Sequence, residues 1–110
     1  MNLEINHKIQ GDVFIISPVG ELAGGPSFTK LILIIENDGL KKVVLNGAQI
    51  NFIDSSGIGS IIDLFRTLHE KGCKLCLCEL QQDVLDLLTM SGMDSFLPIY
   101  KTEMEAAGSM

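Results

Sequence analysis

Three groups of residues carry side chains able to do chemistry, and each points to a different kind. The first is the hydroxyl-rich run Asp54-Ser55-Ser56-Gly57, flanked by Asn51-Phe52-Ile53 and Ile58-Gly59. A serine hydroxyl can accept a phosphate, or act as a nucleophile if a base activates it. The run has no Gly-x-Ser-x-Gly pattern, and no Ser or Cys can be placed around His7 or His69. The second group is Cys73, Cys76 and Cys78, spaced C-x-x-C-x-C, with His69 shortly before them. Structural zinc takes four ligands. Here Cys76 and Cys78 fall in an alternating, strand-like run and share one face, where cysteine serves as a small apolar residue. The third group is the carboxylate pairs Asp83/Asp86 and Glu103/Glu105, on predicted helices without a histidine partner, which read as solvated faces. A Gly-x-x-x-x-Gly-Lys phosphate loop is absent. The expectation is no catalytic residue, no metal and no cofactor.

The first group holds the most information. Asp and Ser favour the position just before a helix, where their oxygens accept otherwise unpaired backbone N–H groups. Gly57 and Gly59 are poor helix formers, and without side chains they let another molecule approach the backbone closely. A helix N-terminus carries partial positive charge and tolerates anions. A phosphate on a serine there would add about −1.5 to −2 charges without forcing the helix to unfold. The residues alone favour the simpler reading of an ordinary helix cap.

The elements that must position this run alternate in type. Residues 3–9 alternate apolar and polar as a half-buried strand, and residues 12–19 form a second strand. Gln10-Gly11-Asp12 between them predicts a hairpin, and Pro18 predicts an edge or a bend. Gly24-Gly25-Pro26-Ser27 opens a helix with Phe28, Leu31, Ile32 and Ile35 on one face, stopped by Asn37-Asp38-Gly39. Within it, Leu31 to Ile35 is apolar all round and rich in β-branched residues, a strand-like composition. The crossover between strands favours helix, so Leu33 or Ile34 must face outward or meet a partner. Residues 42–46 form a buried strand, and residues 50–54 lead into a helix from Ser55 to about Glu70 with a stripe of Ile58, Ile61, Ile62, Phe65 and Leu68. Residues 74–80 are a strand, Val84, Leu87 and Leu88 mark a third helix, residues 96–100 a last strand, and Thr102 to Glu105 a capping box. The order β-β-α-β-α-β-α-β-α predicts an α/β fold with right-handed crossovers and parallel pairing.

Composition narrows the function. The 110 residues are 46% hydrophobic and 20% charged, which suits one domain, residues 1–110, with its own core. The net charge of −6 repels a phosphate backbone, so no direct nucleic-acid binding is expected. The longest aliphatic run, Leu31 to Ile35, is far short of the roughly 20 residues of a membrane span. No membrane insertion is expected, and the first residues do not resemble a signal peptide. Unpaired cysteines fit a reducing, cytoplasmic location.

Phe52-Ile53-Asp54-Ser55-Ser56-Gly57-Ile58-Gly59 resembles the signature of STAS domains, above all the anti-sigma factor antagonists (anti-anti-sigma factors). Gly20-Glu21-Leu22, Val43-Val44-Leu45-Asn46, Leu87-Leu88 through Ser91-Gly92-Met93, and Phe96 to Tyr100 match the family in order and spacing, so the resemblance spans about residues 3–101. It implies a mixed central sheet with helices mainly on one face. It implies Ser55 as a phosphoacceptor for a serine kinase-type anti-sigma factor, with a phosphatase to reset it. Partner contact is implied for Asp54, Ser55, Ser56, Gly57 and Ile58, and for Glu21 and Ala23 in the neighbouring loop. Ala23 stands where the family usually has an acidic residue, and Asn46-Gly47-Ala48 replaces a more usual Asp-Leu-Ser type of segment. The implied function is partner switching that regulates transcription indirectly, by a monomer or weak homodimer. The same domain type also serves as a subunit of phospholipid-transporting ABC systems, binding the ATPase without phosphorylation.

Overall fold

A computed structural model describes residues 3–110. β1 (Leu3–Gln10) and β2 (Val13–Leu22) form the expected hairpin, in unbroken antiparallel register from Leu3 opposite Gly20 to Gln10 opposite Val13. Gly11 turns it with φ of 65°, a conformation that costs glycine little.

β2 is the hub of a six-stranded mixed sheet. Its first half, Val13 to Ile16, pairs in parallel with β3 (Lys42–Asn46). Its second half, Gly20 to Leu22, pairs in parallel with β4 (Ile50–Ile53), with a register shift between Gly20 and Glu21. β3 then pairs with β5 (Lys74–Cys78), and β5 with the two-residue β6 (Ile99–Tyr100), all parallel. Pro18 lies opposite Ile5 in the hairpin but falls in the gap between the two parallel ladders, to β3 up to Ile16 and to β4 from Gly20, so neither of those asks for its missing N–H. β2 therefore runs through Pro18 to Leu22, past the end foreseen at residue 19.

The strands bury both faces. Phe14, Ile16, Val43, Leu45, Leu75 and Leu77 point to one side, where they meet Leu31 and Ile35 of α1 (Thr29–Asn37), Ile61, Leu64 and Leu68 of α2 (Ser55–Glu70), and Val84 and Leu88 of α3 (Gln82–Met90). The intervening Val13, Ile15, Val44, Cys76 and Cys78 point to the other side, covered by Ala106 of α4 (Glu103–Gly108). Three helices thus share one face and the shortest takes the other. Each fully buried aliphatic chain contributes about 1.5–3 kcal/mol, which fixes the strands in register.

Several local expectations change. Residues 50–53 form a strand of their own, so the order is β-β-α-β-β-α-β-α-β-α. The fifth strand stops at Cys78 and not residue 80, because Glu79 has φ of 55° and breaks the extended backbone. Its Oε2 accepts the N–H of Glu103 at 2.9 Å and so caps α4. The last strand shrinks to two residues after a 3₁₀ turn at Met93–Ser95. The run Leu31 to Ile35 is helical, overruled by the tertiary position of α1. Leu33 is its outward residue, 55% exposed, while Ile34 is half-buried against the core. Glu103 is not a solvated carboxylate: it accepts a hydrogen bond from Asn46 at 3.0 Å and pairs with Lys8 at 3.4 Å, tying α4 to β3 and β1.

Candidate functional site

The fork of the sheet sets the site. Where β2 leaves β3 for β4, two chain exits lie side by side: residues 23–28 after β2, and the start of α2 after β4. Asp54 joins β4 to α2 with an extended backbone (φ −120°, ψ −173°) and caps the helix, its Oδ1 accepting the Gly57 N–H at 2.9 Å. The Ser56 hydroxyl donates to the same Oδ1 at 2.6 Å. Ser56 Oγ in turn accepts the N–H of Gly25 at 3.0 Å. One continuous chain, Gly25 N–H to Ser56 to Asp54, thereby ties the loop after β2 to the cap of α2. The Ser56 hydroxyl, followed by the Gly57 N–H, holds the Asp54 carboxyl below the usual carboxylate range.

A second tie lies one turn further on. The buried Ser60 hydroxyl lies 2.7 Å from the Pro26 carbonyl oxygen and 3.1 Å from that of Ser56. Gly24 and Gly25 bend the loop with φ of 75° and 71°, conformations that disfavour side chains. Gly57 allows the closest approach: a Cβ there would sit 1.8 Å from the Leu22 carbonyl oxygen. The helix can start against the end of β2 only because residue 57 has no side chain.

Against this fixed frame Ser55 stands apart. It is exposed, and among the described residues its hydroxyl has no hydrogen-bond partner. Of the seven expected site residues, Asp54, Ser56 and Gly57 are joined by hydrogen bonds, with Ser55 beside them. Glu21 is exposed on the end of β2, opposite Phe52 in the ladder. Ala23 is buried under the loop, and Ile58 is half-buried against the core, so both shape the surface more than they present it. Sequence reasoning left out Gly25, Pro26 and Ser60, which act through backbone atoms or a helical hydroxyl and carry no pattern of their own. It also left Phe52 without a role, although Phe52 is 49% exposed beside the serines.

The other chemical candidates lie elsewhere. His7 stacks on Phe14 from β1, and His69 stacks on Phe65 at the far end of α2, so neither histidine serves Ser55 as a base. Cys73 faces the core under α1 to α3, whereas Cys76 and Cys78 face α4, which separates the thiols of the C-x-x-C-x-C run. Burial pushes the Cys76 thiol up to about 11 and, with help from Glu79, the Cys78 thiol up to about 12, so both are neutral at ordinary pH. Among the described residues no helix is long and apolar enough to cross a membrane.

This fork with a capped, serine-bearing helix start is the arrangement of a known domain class. The family model for the STAS domain matches residues 4–106. The anti-sigma F factor antagonist of Paenibacillus polymyxa is 31% identical over 109 residues, covering 96% of this chain and 93% of that protein. A Thermotoga maritima protein, provisionally described as an anti-sigma factor antagonist, has a crystal structure that superposes with a TM-score of 0.82 at 25% identity, over 96% of this chain and 92% of its own. SpoIIAA, an anti-sigma factor antagonist solved in its unphosphorylated form, shares the fold with a TM-score of 0.67 at 21% identity, over 98% and 96% of the two chains. The chain belongs to the STAS domain family and, within it, to the anti-sigma factor antagonist family, a family of regulators that are not enzymes.

Proposed function

We propose that this chain is a phosphorylation-controlled antagonist of a serine kinase-type anti-sigma factor, with Ser55 as the phosphoacceptor. The observation that carries the reading is the contrast among the three hydroxyls at the start of α2. Those of Ser56 and Ser60 are spent on Asp54 and on backbone carbonyls, and that of Ser55 is exposed and has no partner among the described residues. The Paenibacillus relative is named for antagonism of an anti-sigma factor, and SpoIIAA has been solved both with and without phosphate.

In this reading the unmodified helix start, with Glu21 and Phe52 at its margin, docks flat on the partner. The chain supplies the hydroxyl, and the partner supplies nucleotide and base. A phosphate on Ser55 sits at a helix N-terminus, which tolerates its charge, so the fold survives. The interface does not, because about two negative charges must be desolvated next to Asp54. A buried, unmatched charge of this kind costs about 2–5 kcal/mol, roughly 30- to 5,000-fold in affinity. A phosphatase restores the binding form.

The test is affinity capture from a lysate of the source organism with wild-type protein and Ser55→Asp, followed by mass spectrometry. Capture of a serine kinase-type anti-sigma factor by the wild type alone supports the switch. Capture of the same transporter ATPase by both proteins would overturn it and point to the phosphate-independent role of STAS subunits in lipid transport.

A further inference from the structure

β1 lies at the edge of the sheet and, among the described residues, pairs only with β2. Along its outer edge the N–H and C=O groups of alternate residues have no strand partner among the described residues, and no proline or bulge blunts the edge. Such an edge is a ready template for another strand. The sequence along it, Leu3-Glu4-Ile5-Asn6-His7-Lys8-Ile9, is self-complementary about Asn6. Laid antiparallel against a second copy about a two-fold axis, it places Glu4 opposite Lys8 twice, Leu3 opposite Ile9 twice, and Ile5 opposite His7 twice. Shifting the centre to Ile5 or His7 breaks both charge pairs, and parallel pairing sets like charges opposite each other.

The two faces of the strand suit this register. Glu4, Asn6 and Lys8 lie on the α4 side, where Lys8 is half-exposed beside Glu103 and keeps donors to spare. The odd-numbered residues lie on the α1 side. Ile9 is 49% exposed there, and Ile5 and His7 line a groove of about 690 Å³ with Leu31 and Ile34 of α1. A second copy would cover this apolar margin and satisfy the edge backbone together. The geometry points to a weak homodimer formed by antiparallel pairing of two β1 strands centred on Asn6, joining two sheets into one. The partner is a second copy of this chain, because the charge pattern matches its own reverse. The pairing uses residues of β1 alone and none of Asp54 to Gly57, so this inference stands or falls apart from the proposed function.

Charge exchange tests the register directly. Glu4→Lys places lysine opposite lysine in its own dimer, and Lys8→Glu places glutamate opposite glutamate. Each variant alone is expected to sediment at the monomer mass of 12.0 kDa up to near-millimolar concentration, where the wild type shifts toward twice that mass. An equimolar mixture restores both attractive pairs and is expected to recover the wild-type shift. Isotope-filtered NMR on a mixed-label wild-type sample needs no substitution and is expected to show Leu3 to Ile9 methyl contacts. Within one chain those residues are about 20 Å apart along the strand. A wild type that stays monomeric, single variants that still dimerise, a mixture of folded variants that fails to recover, or absent Leu3 to Ile9 contacts would each overturn the inference.

Discussion

Two glycines near the start of α2, Gly57 and Gly59, are expected to respond oppositely to alanine. At Gly57 a Cβ would meet the Leu22 carbonyl oxygen at 1.8 Å, the Leu22 carbonyl carbon at 2.8 Å and Ile53 Cγ1 at 2.9 Å. Carbon and oxygen rest at about 3.3 Å, so the helix start would have to retreat by about 1.5 Å. The first two obstacles are backbone, which no rotamer change can move. Overpacking of this kind costs about 1–3 kcal/mol, here toward the upper end. Alanine's better helix propensity offsets up to about 1 kcal/mol of it, leaving a net loss of about 2 kcal/mol. At Gly59 nothing lies within 4 Å of the added carbon, so the propensity gain stands alone at about 0.5–1 kcal/mol. The two variants should differ by about 3 kcal/mol, which separates their urea midpoints by about 1.5 M at an m-value near 2 kcal/mol/M. Equal midpoints, or Gly57→Ala above Gly59→Ala, would refute the claim that β2 and α2 meet through a side-chain-free contact.

Other consequences are equally direct. Ser56→Ala removes the donor to Asp54 and the acceptor for Gly25, and is expected to cost about 1 kcal/mol and to speed hydrogen exchange at the Gly25 amide. Because the Asp54 carboxyl titrates below its usual range, the stability it lends is complete above that range and is lost as pH falls through the lowered value. Asp54→Asn should therefore flatten part of the acid limb of a stability profile, measured by urea midpoints at stepped pH. The Cys76 and Cys78 thiols, raised to about 11 and about 12, remain protonated in the native protein at pH values where an unfolded thiol, near about 8.5, ionises. Their stabilising share is whole below that value and declines as pH climbs toward 11. In the native state at neutral pH, a thiol reagent should modify them only as fast as the protein opens.

Much of the fold is legible in the sequence where periodicity and turn chemistry agree. The hairpin about Gly11, the apolar stripe of α2 and the Thr102 cap of α4 all follow local rules, and Thr102 does accept the Glu105 N–H at 3.1 Å. β4 escapes because its burial runs buried, exposed, exposed, buried, which breaks the two-residue period. Among the described residues it pairs with β2 alone, and its short length reads as a prelude to α2. The strand-like Leu31 to Ile35 becomes helix because a crossover must return to the sheet, which is information from far along the chain. At the site, the cap and the serines are visible in the motif. The ties to Gly25 and Pro26 are not, since they use backbone atoms of a loop whose path depends on two glycine conformations.

Those ties join residues 31 and 34 positions apart in the chain. Contacts of that span form only after the intervening loop has closed, at an entropic cost that precedes any gain. Neither the loop after β2 nor the start of α2 can hold the Ser55 surface by itself, and the two meet only once β4 has joined β2. A nascent or partly opened chain therefore carries the serine but not the frame around it. On the proposed function, that surface serves as its own certificate of completed folding, and a protease-sensitive, unassembled chain would be silent toward the proposed partner rather than wrongly active.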